Sequence, residues 1–135
     1  MVGDAKSFLL WNKDEIFKNL IAIEGHLRNV KPEFKSQDLS CLVKHAADIE
    51  QHADEAVSHA AELGMDDLSA KFRELRDRIR DYRRTLQQSN LPVEENIRRI
   101  REIRRFFESF NPEYDISKCK ACGNIEEILS KLKIP

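Results

Sequence analysis

From Leu39 to Leu63 the apolar residues Leu39, Leu42, Ala46, Ile49, Ala53, Ala56, Ala60 and Leu63 recur at alternating spacings of three and four, and the run closes on Gly64. That period puts all of them on one stripe of an α-helix and is incompatible with a strand, whose faces alternate at every residue. Half of the stripe is alanine, so a neighbouring helix can approach closely. Ser36 is the predicted N-cap of this second helix, and glycine just past its end is the usual stop.

The same period runs through the rest of the chain. Asp14 is predicted to cap a first helix over 14–30, carrying Ile16, Phe17, Leu20, Ile23, Leu27 and Val30 and stopped by Pro32. Asp66 is predicted to cap a third, with Leu68, Phe72, Leu75, Ile79, Tyr82 and Leu86, ending near Asn90. Pro92 in a first turn, followed by Glu94 and Glu95, opens a fourth with Val93, Ile97, Ile100, Ile103, Phe107 and Phe110, which Asn111 and Pro112 end. With only 4 Gly and 4 Pro, the chain lacks the turn-formers an all-β fold needs. Short connections make successive helices antiparallel neighbours, so the expected fold is an all-α, antiparallel up-down four-helix bundle. A loop holding Cys119 and Cys122 and a short fifth helix, Ile125 to Leu132, follow it, with Asn124 and Glu127 spaced as a capping pair. The expected organisation is an N-terminal extension over 1–13, the bundle over 14–110 and a cysteine-bearing appendage over 111–135.

At 135 residues one core is expected, and 41% hydrophobic against 35% charged residues suits a packed, water-soluble chain. Lys and Arg number 23 against 24 Asp and Glu, so no global positive charge draws the molecule to nucleic acid or anionic lipid. Without a signal-like segment or a run of about 20 apolar residues, the expected setting is cytoplasmic, with no membrane association.

Three cysteines at these spacings do not resemble a disulfide framework. Cys119-x-x-Cys122-Gly123 is the spacing at which a tight turn aims two thiolates at one tetrahedral metal, with the glycine permitting the turn. Redox catalysis is disfavoured, since a helix begins after the second cysteine and no βαβ setting is expected. Cys41 and His45, four apart on the second helix, would complete a Cys3His zinc site of Cys119, Cys122, Cys41 and His45. To reach it the chain must climb back roughly 19 Å, and the connecting residues 111–118 span about 26 Å if extended. His52 and His59, lower on that helix, are the fallback ligands. The competing reading is that Cys41 is a small buried hydrophobe and the other two are ordinary loop thiols.

His45, His52 and His59 stand seven apart, with Asp48, Glu55 and Glu62 between them. They lie about 115° from the centre of the apolar stripe, which favours a solvated flank over a metal site or a histidine-lined dimer interface. Glu24, Glu50, Asp54 and Arg104 fall inside or beside apolar arcs. The carboxylates are expected either to pair with Arg104 in an internal ion network that fixes helix register, or Glu24, Glu50 and Asp54 to form, with His52, a carboxylate centre for iron or manganese. Eleven arginines between Arg73 and Arg105 could make a phosphate-binding strip, but Glu74/Arg78, Glu94/Arg98, Glu95/Arg99 and Arg104/Glu108 are spaced for local neutralisation. Phe106, off the apolar stripe, is expected to pack on the C-terminal tail or a second subunit.

Together these point to a zinc-stabilised, non-catalytic interaction or regulatory module that forms a homodimer or docks a protein partner. A metal-dependent enzyme with a carboxylate/histidine centre inside the bundle, and a nucleic-acid-binding protein using its arginine-rich third and fourth helices, are the alternatives.

Overall fold

A computed structural model describes residues 2–32, 38–88 and 91–110; the predicted cysteine loop and fifth helix lie outside the described residues. The described chain is all-helical: α1 (Val2–Asn29), α2 (Leu39–Glu62), α3 (Asp66–Gln88) and α4 (Val93–Glu108), with no strand among the described residues. No helix among them is long and apolar enough to cross a membrane.

α1 begins at Val2, well before Asp14. Asn12, which interrupts the apolar spacing, is fully buried, and Leu9 packs against the core, so the first helix continues through the segment expected to be an extension. The cap of α2 is Asp38, whose carboxylate accepts the backbone N–H of Cys41 at 2.9 Å. At its other end Gly64, at φ 71°, turns the chain in the left-handed conformation that costs glycine nothing. Gly64 N–H then reaches Ala61 O and Met65 N–H reaches Ala60 O, the paired bonds that satisfy a helix's last carbonyls. Pro92 stands just outside α4 as its N-cap, with extended backbone and no side-chain bond, rather than within the first turn.

α2 is central, flanked by α1 and α3. Across α1 and α2, hydrogen bonds link residue 12 to 59, 19 to 52 and 26 to 45, so the two run antiparallel. Across α2 and α3, Glu50 meets Arg80 and Arg83, Asp54 meets Arg76, and Ser69 donates to Val57 O, which is again antiparallel. α4 returns along α3, with Tyr82 donating to Asn96 Oδ1 and Phe110 packing edge-on against Phe72. The alanine stripe behaves as its sequence implies: Ala46, Ala53, Ala56 and Ala60 are all fully buried, with Ile49 among them, while Leu39 at the helix start is 52% exposed.

Candidate metal centre between α1 and α2

Asn12 and Asn19 are buried in the seam between the first two helices. Each amide donates its Nδ2 to the carbonyl one turn back, Asn12 to Phe8 O at 2.9 Å and Asn19 to Glu15 O at 2.8 Å. That bond aims Oδ1 across the seam, where Asn12 accepts from His59 Nδ1 at 2.8 Å and Asn19 from His52 Nδ1 at 3.0 Å. An amide oxygen only accepts, so both rings carry their proton on Nδ1 and, while neutral, a lone pair on Nε2. No buried side-chain nitrogen or oxygen among the described residues lacks a partner.

The third rung differs. Position 26 of α1 is His, and its Nδ1 lies 3.2 Å from His45 Nδ1, close enough for one ring to donate and the other to accept. Asp48, one turn along α2, brings Oδ2 to 4.0 Å from His26 Nε2. His26, His45 and Asp48 are all half-buried, and one ligand atom from each lies within 4.8 Å of the others. Zinc with bonds of about 2.1 Å needs donors about 3.4 Å apart, so these side chains need to draw in by roughly an ångström. His52 stacks on His26 with ring centroids 5.7 Å apart and planes 26° from parallel. Burial, opposed by Asp48 and reinforced by His45 and His52, holds the His26 imidazole below its usual 6.5, which keeps it in the neutral form a metal requires.

The histidine flank is therefore not solvated but covered by α1. His45 joins the cluster, and Cys41, a half-buried free thiol, sits one turn before it on α2. Cys119 and Cys122 fall outside the described residues. Sequence reasoning missed His26, Asn12 and Asn19. Their own spacing of seven, read antiparallel against the spacing of seven on α2, was the available signal.

The charges assigned to apolar arcs separate rather than converge. Glu50 accepts from Arg80 at 2.7 Å and Arg83 at 2.9 Å. Burial opposes its ionisation, but the two guanidiniums prevail and hold its carboxyl below the usual carboxylate range. An internal Glu–Arg pairing exists, then, with these arginines and not with Arg104. Asp54 pairs with Arg76 at 2.7 Å, and Glu24 is exposed and pairs with Arg28 at 2.7 Å. Arg104 instead donates to the carbonyls of Leu27 and Val30 at the end of α1.

Most of the arginine strip is locally neutralised. Arg78 pairs with Glu74, Arg98 with Glu95 and Glu102, and Arg99 with Glu95. Arg78 also lies over the Phe106 ring, 4.3 Å from its centroid.

Comparison of the chain with protein-family models, with curated proteins and with solved structures found no match.

Proposed function

We propose that this protein is a non-catalytic interaction or regulatory module, an up-down helical bundle clamped by a zinc ion held between α1 and α2 on His26, His45 and Asp48. The observation that carries the reading is the convergence of three ligand atoms, drawn from two helices, to within 4.8 Å. Two imidazoles and a carboxylate suit zinc, and ligands from separate helices turn metal affinity into stability.

Three protein ligands leave one position of a tetrahedral ion open. In the favoured reading a thiolate closes it, from Cys41 or from the Cys119/Cys122 pair in the C-terminal segment, making a structural site. The open position favours a second reading, in which water occupies it and the centre is that of a metal-dependent enzyme.

Zinc titration against a competing chelator under reducing conditions tests both. One equivalent is expected to bind, with affinity reduced at least tenfold by His26→Ala and also by the combined change Cys41→Ser, Cys119→Ser and Cys122→Ser. Absence of binding at micromolar zinc, or an affinity indifferent to His26→Ala, overturns the site. Loss with His26→Ala but not with the cysteine changes moves the assignment to the open, enzyme-like centre.

A further inference from the structure

On the side of α1 away from His26, α1 and α4 diverge around a groove of about 740 Å³. Its apolar lining comes from Phe17, Leu20, Ile21 and Leu27 of α1 with Phe107 and Phe110 beyond them. Ile21 is 71% exposed there, more than the other exposed large apolar side chains of α1, Phe8 at 44% and Trp11 at 53%. Arg28 and Lys31 line the end of the groove where α1 stops, and Glu108 lies on the α4 side.

We propose that this groove is the docking site of the chain's own C-terminal segment, residues 125–132. Phe110, the last described residue, lines the groove itself, so the following 111–135 leave from its edge. Ile125, Ile128, Leu129 and Leu132 fall at i, i+3, i+4 and i+7, one apolar stripe if the segment is helical. From Phe17 to Lys31 the α1 side of the groove runs about 21 Å. The connecting residues 111–124 reach about 46 Å when extended, so the segment can be laid anywhere along it.

A tethered segment acts at an effective concentration in the millimolar range, which favours it over a second copy of the chain or a separate partner. Docking invokes no metal, so exchange measured on the metal-free chain tests it apart from the metal centre.

Hydrogen exchange of the full chain tests this. Amides of 125–132 are expected to exchange at least tenfold more slowly than in a synthetic peptide of residues 123–135. Both Ile21→Asp in the groove and Leu129→Asp in the segment are expected to abolish that protection while α2 and α3 exchange as before. Ile21 is exposed, so its substitution leaves an uncovered groove folded. Peptide-like exchange in the unaltered chain, or protection that survives Ile21→Asp, overturns the proposal. So does a doubling of mass by light scattering whose reversal on dilution removes the protection, which assigns the groove to a second copy.

Discussion

Arg104 is the side chain that ties α4 to the end of α1, and replacing it with Met isolates what that tie is worth. Its Nε and Nη2 donate to Leu27 O at 3.2 and 2.9 Å, and Nη2 also donates to Val30 O. These carbonyls lie at the negative end of α1, where a cation is favoured. Hydrogen bonds from a charged donor contribute about 1.5–3 kcal/mol each when their loss leaves the acceptor bare. The losses here are unequal. Leu27 O keeps the backbone N–H of Val30 at 3.3 Å, while Val30 O loses its side-chain donor. The methylenes of Met retain much of the stem packing, and water reaches the half-buried site, so Arg104→Met is expected to cost about 2 kcal/mol rather than the sum of the bonds. With a urea slope of about 2 kcal/mol/M, the midpoint should fall by about 1 M. Arg104→Lys should recover less than half of this, because an ammonium cannot fork across two carbonyls. A second readout is independent of stability. Burial pushes the Tyr82 hydroxyl up to about 12, partly offset by the positive charge of Arg104, so its phenolate absorbance should appear at still higher pH in Arg104→Met. A midpoint change corresponding to less than about 0.5 kcal/mol, or an unmoved Tyr82 titration, would refute the assignment of Arg104 as this tie.

The metal centre should be pH-sensitive in a stated direction. His26 is held below its unfolded value of 6.5, so the unfolded chain takes up the proton first; the stability it supports is complete above that value and declines as pH falls, and zinc's thermal stabilisation should shrink over the same interval. A zinc-induced shift in melting temperature that is equal at pH 7.5 and pH 5.5 contradicts the involvement of His26. In the alanine stripe, Ala56 is fully buried, so Ala56→Leu should overpack the α2 interface and destabilise by about 1–3 kcal/mol. Thermal unfolding reads this, and an unchanged midpoint means the seam has room it is not expected to have. Tyr82→Phe strands the buried Asn96 oxygen and should cost about 1–3 kcal/mol in chemical denaturation; neutrality would mean water already reaches Asn96.

The amino-acid order by itself determined the helical class, because a three-and-four apolar period sustained over Leu42, Ala46, Ile49, Ala53, Ala56 and Ala60 has no other solution, and all of them are buried. It also located the ends of α2 and α3 to within a few residues, since Gly64 supplies a conformation few other residues tolerate. The extent of α1 was hidden by Asn12, which reads as a break in an apolar pattern although it is buried and bonded at both ends of its amide. Only tertiary structure decided the site. A helical wheel ranks residues by angle from one apolar centre, but α2 has two neighbours, so its buried arc is wider than that centre implies and takes in His45, His52 and His59. The nearness of His26 to His45 and Asp48 is a contact between residues far apart in the chain, set by the register of two antiparallel helices and therefore by packing that no local pattern encodes.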